Sequence, residues 1–106
     1  MILKDILIKS KGKITYDDIT HIDTSKDISK SIEELKEDLL QIEYKDHVLI
    51  DLGWHPSFNI NGSFQLQIIK NNDWLKPIHK STSDNWEKLL KNLEEVILEC
   101  NEKYSP

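Results

Sequence analysis

Across residues 47–70 the chain alternates between apolar and polar positions. Val48, Ile50, Leu52 and Trp54 are interleaved with His47, Leu49, Asp51 and Gly53, and later Phe64, Leu66 and Ile68 are interleaved with Ser63, Gln65 and Gln67. A repeat of two sends successive side chains to opposite faces of an extended backbone, so each run predicts a strand with one apolar and one largely polar face. The two runs and the turn between them predict a half-buried antiparallel hairpin at the centre of the fold. A two-residue turn at Asn61-Gly62 would set Ile60 opposite Ser63 and Asn59 opposite Phe64, pairing numbers of odd sum. Trp54, Leu52 and Ile50 would then face away from Phe64, Leu66 and Ile68. Because a slip of one residue inverts every side chain, a wider turn is expected, such as a three-residue loop at Asn61, Gly62 and Ser63. Pro56 has no N–H to give a ladder, which stops regular pairing near Trp54 and leaves residues 55–61 as an exposed loop carrying Phe58 and Ile60.

Helical spacing brackets the hairpin. Trp86, Leu89, Leu90, Leu93, Val96, Ile97, Cys100 and Tyr104 follow a period of 3.6, and Asp84 with Glu87 supplies a capping box at the start. This C-terminal helix is predicted to lie across the apolar face of the hairpin, with Glu87–Lys91 and Glu99–Lys103 as pairs worth about 0.2–0.5 kcal/mol each. Ile2, Leu3, Ile6 and Leu7 suit an amphipathic helix ending near Gly12. Thr15 and Asp18, flanked by Ile14 and Ile19, predict a short helix over residues 16–21. After a turn-rich connection over residues 23–30, Ser31 and Glu34 form another capping box, and Ile32, Leu35, Leu39 and Ile42 predict a further helix. Glu33, Glu34, Glu37, Asp38 and Glu43 would make its solvent side strongly acidic. Residues 74–79, broken by Pro77, read as an edge strand or an extended segment. The expected class is α+β, a small antiparallel sheet built on the central hairpin and packed against a long C-terminal helix and N-terminal helices.

The 106 residues, 38% of them hydrophobic, suit a single domain over residues 1–106. Fourteen basic against nineteen acidic residues leave a formal charge of −5, which argues against non-specific binding of nucleic acid or an anionic membrane and favours a basic partner. A lone Cys100 excludes an internal disulfide and a Cys-based zinc cluster, and points to the cytoplasm. Lys4, Asp5 and Lys9 interrupt the apolar start, so neither a signal peptide nor a membrane span is expected. His21, His47, His55 and His79 have no metal-ligand spacing, and no metal or cofactor is expected. Ser57 lacks a nucleophile-elbow context, Cys100 sits on an apolar helix face, and three glycines form no phosphate loop. Trp54 and Trp74 read as core or sheet-edge aromatics. One enzymatic reading stays open. Asp51 and His55, with Asp73, could supply the acid, base and metal ligand of a small metal-dependent hydrolase or nuclease.

The run Glu37-Asp38-Leu39-Leu40-Gln41-Ile42-Glu43-Tyr44 is followed by Asp51-Leu52-Gly53-Trp54-His55-Pro56, Gly62-Ser63-Phe64, Asp73-Trp74 and Pro77. This pattern resembles small bacterial immunity proteins of contact-dependent growth-inhibition and other polymorphic toxin systems, over residues 32–104. Asp51, Gly53, Trp54, Pro56, Asp73 and Trp74 carry the shared motif, with His55 where an aromatic residue would be expected. The resemblance implies a cytoplasmic, non-catalytic inhibitor. Such a protein binds the C-terminal domain of its cognate toxin, often a basic nuclease, and blocks the active site. On that footing Glu33, Glu34, Glu37 and Asp38 would attract the toxin, and His55, Phe58 and Ile60 would contact it from the exposed loop.

Overall fold

The computed structural model describes residues 2–105. Helix α1 (Leu3–Ile8) leads into strand β1 (Lys13–Asp17), and two 3-10 turns, Ile28–Lys30 and Ile32–Glu34, precede β2 (Leu40–Tyr44). Strands β3 (Val48–His55), β4 (Ser63–Lys70) and β5 (His79–Ser83) follow, and helix α2 (Trp86–Tyr104) closes the chain. The five strands form one antiparallel sheet in the order of the sequence, β1-β2-β3-β4-β5. A long helix on one face of such a sheet makes the protein a small α+β fold.

The central hairpin has the parity its faces require. Ile50 pairs with Ile68, Leu52 with Leu66 and Trp54 with Phe64, an even sum that puts both apolar rows on one side. The turn is wider than a three-residue loop at Asn61, Gly62 and Ser63. Ser63 stays in the ladder opposite His55, and residues 56–62 form the connection. Its shape is held from inside the core, because the Trp54 indole Nε1 donates to the Asn59 carbonyl at 2.9 Å.

The apolar rows of β2, β3 and β4 bury Leu40, Ile42, Ile50, Leu52, Trp54, Phe64, Leu66 and Ile68 beneath Leu89, Leu93, Val96 and Ile97 of α2. Trp54 meets Phe64 edge-on at 4.8 Å between ring centroids, and Phe64 lies 4.9 Å from Trp86. Each fully buried large side chain contributes about 1.5–3 kcal/mol, so this layer dominates stability. The cap of α2 falls one residue later than Asp84. Asn85 Oδ1 accepts the Lys88 N–H at 2.9 Å, while Asp84 bonds the Asn85 side chain. Lys103 stands 4.0 Å from Glu99, as its spacing predicts. Helix α1 buries Leu3, Ile6 and Leu7 in the same core, and Lys9 Nζ reaches Glu94 at 2.6 Å.

Two predicted helices are absent among the described residues. Residues 16–21 instead continue β1 to Asp17, which pairs with β2 through an irregularity between Ile14 and Tyr16. Asp17, rather than Thr15, takes the capping role, its carboxylate accepting Ile19 N–H, Thr20 N–H and the Thr20 hydroxyl. Burial works to raise the Asp17 pKa, but these bonds together hold it below the ordinary value. The expected helix of Ile32, Leu35, Leu39 and Ile42 is the 3-10 turn Ile32–Glu34, an extended run, and then β2. Ser31 makes no side-chain cap. Glu33 with Glu37 and Glu34 with Asp38 would be like-charge i,i+4 neighbours in a helix, which repel. In β2, Ile42 and Leu40 gain Ile50 and Leu52 as ladder partners. Residues 74–77 form a turn and β5 begins at His79, making β5 the edge strand that Pro77 postpones.

Candidate interaction surface

The acidic segment and the hairpin loop, separate in sequence, meet at one end of the sheet. Upstream of β2 the ladder with β3 continues, with Leu39 N–H donating to the Leu52 carbonyl at 3.0 Å and Trp54 N–H to the Lys36 carbonyl at 2.8 Å. Four residues, 36–39, thus oppose three, 52–54, and the chain bulges at Glu37 and Asp38. Gly53 is what allows the bulge to lie close. A Cβ there would overlap the Glu37 carbonyl oxygen and stand 2.7 Å from its carbon. The loop is fastened to the same segment: Phe58 N–H donates to the Leu35 carbonyl at 2.7 Å, and Glu37 N–H donates to Ser57 Oγ at 3.1 Å.

Glu33, Glu34, Glu37 and Asp38 therefore ring an end that also presents His55, Phe58 and Ile60. The four acids are exposed, Phe58 is 57% and Ile60 53% exposed, and His55 is half-buried. Phe58 has φ 61°, the left-handed region that costs a bulky L-residue about 1–2 kcal/mol. Neighbouring basic side chains sit beside part of this charge. His21 Nε2 lies 3.2 Å from Glu34 and its Nδ1 lies 3.7 Å from Asp18, while Lys36 pairs with Asp18, whose hydrogen bond raises the lysine pKa. Among the described residues no cation lies within 4.0 Å of Glu33, Glu37 or Asp38. The Asp38 charge still reaches Lys36, but none of the three carboxylates has an ion-pair partner in contact. By sequence alone Asp18 reads as a helix-capping residue and His21 and Ser57 carry no ligand or nucleophile signature; nothing there places them, or Lys36, at this surface.

Asp51 lies on the sheet face away from α2, buried against the Gln41 amide, whose Nε2 donates to it at 3.0 Å. Desolvation pushes its carboxyl above the ordinary value and the Asp38 charge adds to this, while the Gln41 bond and nearby His55 oppose it. His55 shares that face. Asp73 does not join them. It lies beyond the Val48–Lys70 end of the hairpin, whereas His55 is at the other end, about 23 Å away at ~3.3 Å per residue. Its Oδ1 accepts Lys76 N–H at 3.2 Å and so fixes a turn. The trio Asp51, His55 and Asp73 is therefore not assembled as a site. Of the remaining motif residues, Trp54 is core, Pro56 opens the loop, and Trp74 is 46% exposed in the turn that precedes β5.

Fold and surface together define a small α+β protein with one helix-covered sheet face and an acid-rimmed apolar end. No protein-family model, curated protein or solved structure matches the chain. Among the described residues no helix is long and apolar enough to cross a membrane.

Proposed function

We propose that this chain is a cytoplasmic immunity protein that binds the C-terminal domain of a cognate toxin, a basic nuclease, and blocks its active site without catalysing a reaction. The observation that carries the reading is the convergence of Glu33, Glu37 and Asp38, none of them in a salt bridge among the described residues, at the end that presents Phe58 and Ile60. Nuclease clefts are basic because they hold phosphate. An acidic rim speeds association with such a cleft, and a protruding aromatic supplies a desolvated anchor. The left-handed Phe58 supports this further. A strained, exposed phenylalanine contributes little to the isolated fold, and such strain tends to persist where a contact uses it.

The test is co-expression of the chain with the toxin domain encoded beside it, followed by affinity capture and growth measurement. The expected result is a one-to-one complex and restored growth, with Glu33→Lys, Glu37→Lys and Asp38→Lys together slowing association at least tenfold and flattening its salt dependence. Failure to bind and neutralise that domain would overturn the proposal. Unchanged association kinetics in the triple variant would remove this surface from the interface.

A further inference from the structure

The two edges of the sheet are unlike. At β1 the ladder is irregular between Ile14 and Tyr16 and Thr15 Oγ1 turns back to the Gln41 carbonyl, which blunts that edge. At β5 the ladder is regular from Phe64–Ser83 to Ile68–His79. Among the described residues the backbone of β5 bonds to no element other than β4, so its outer row of N–H and C=O groups is open. Immediately before it, Trp74, Leu75 and Ile78 are 46%, 94% and 50% exposed. Residues 74–83 carry Lys76 and Lys80 and no carboxylate, in a chain of net charge −5. Lysine and proline do guard edges against pairing. A merely guarded edge, however, has no need of an exposed tryptophan, leucine and isoleucine at its entrance.

We infer that the β5 edge is a second binding surface, which takes an acidic, extended segment of a partner polypeptide as a sixth strand. Main-chain bonds to β5 supply the pairing, as in other cases of strand addition, and side chains supply the choice of partner. Carboxylates on the added strand face Lys80, which projects on the face away from α2, and Lys76. Apolar side chains of the segment meet Trp74, Leu75 and Ile78. β3 and β4 lie between this edge and the bulge at Glu37, so the second site operates independently of the acidic end.

The experiment titrates the intact protein with three synthetic octapeptides and follows backbone amide shifts by NMR and Trp74 fluorescence. One peptide alternates glutamate with valine, one alternates lysine with valine, and one is the glutamate peptide with a central proline. The glutamate peptide is expected to shift amides across His79–Ser83, to protect the outward-facing ones from exchange, and to bind about tenfold more tightly than the lysine peptide, with salt weakening it. The proline peptide should lose most of this binding. Lys76→Glu with Lys80→Glu, both at exposed positions, should reverse the preference. Absence of shifts in β5, equal binding of the two charged peptides, or shifts confined to the Phe58 loop would overturn the inference. Concentration-dependent pairing of β5 without peptide would also overturn it, in favour of a second copy as the occupant.

Discussion

Replacing Gly53 with alanine tests the bulge that holds the acidic end together. The added methyl would overlap the Glu37 carbonyl oxygen and stand 2.7 Å from the carbonyl carbon, where carbon atoms normally keep about 3.5–4.0 Å. Both partners are backbone, so no side chain can swing aside. The strand must retreat by about an ångström, which breaks or stretches the bonds from Trp54 N–H to Lys36 and from Leu39 N–H to Leu52, at 2.8 and 3.0 Å. Two such bonds contribute about 0.5–1.5 kcal/mol each, and overpacking adds about 1–3 kcal/mol. The alanine restricts the unfolded chain, which returns about 0.4–1 kcal/mol. The net expected loss is about 3 kcal/mol. With a urea slope of about 1.5–2 kcal/mol/M, within the range for small domains, the midpoint should fall by about 1.5–2 M with the slope unchanged. Exchange of the Trp54 amide should accelerate at the same time. A midpoint within about 0.3 M of the parent, with Trp54 still protected, would refute the close approach on which the bulge depends.

Phe58→Gly relieves the left-handed backbone, so stability should hold or rise by about 1 kcal/mol while affinity for the toxin domain falls at least tenfold; thermal melting and binding kinetics separate the two, and a large loss of stability would contradict the geometry. The Asp51 carboxyl titrates above its ordinary 3.8 in the fold, so the native state holds its proton longer than the unfolded chain does. Its contribution is therefore full below pH 3.8 and is lost as pH rises through the folded value. Asp51→Asn, which keeps an acceptor for Gln41, should stabilise the protein at neutral pH, with the gain vanishing below pH 3.8 in urea titrations across pH. Asn101→Ala removes the bonds that Asn101 makes to Lys11 N–H, the Tyr44 hydroxyl and the Lys9 carbonyl, each 2.8 Å, and should cost about 2 kcal/mol, read as faster exchange at Lys11.

The hairpin and α2 could be read from residues alone because their periods are long and unmixed. Parity of Trp54 and Phe64 excluded the tight Asn61-Gly62 turn, but the length of the loop depends on where the Trp54 indole finds a carbonyl, which no local pattern encodes. Residues 31–44 misled because Ile32, Leu35, Leu39 and Ile42 fit a helix, while Leu40, Ile42 and Tyr44 equally fit a strand. Competition from β3 decided it, and the repelling carboxylates at i,i+4 were the available warning. The acidic residues and the apolar loop were each visible as separate features. Their meeting was not, because it rests on bonds between Phe58 and Leu35 and between Ser57 and Glu37, contacts set by tertiary pairing.

Asn101 ties the connection between α1 and β1 to the last turns of α2, with Glu94 gripping Lys9 beside it. Lys11 and Asn101 stand 90 residues apart, so the contact joins two distant segments of the chain. Residues 9–11 gain these bonds only when the last turns of α2 are in place. The β1–β2–β3–β4 meander can assemble without them, since β1 pairs with β2, whereas α1 packs on α2. Loss of the last turns of α2 would therefore free residues 9–11, some ninety positions away, and loosen the seat of α1.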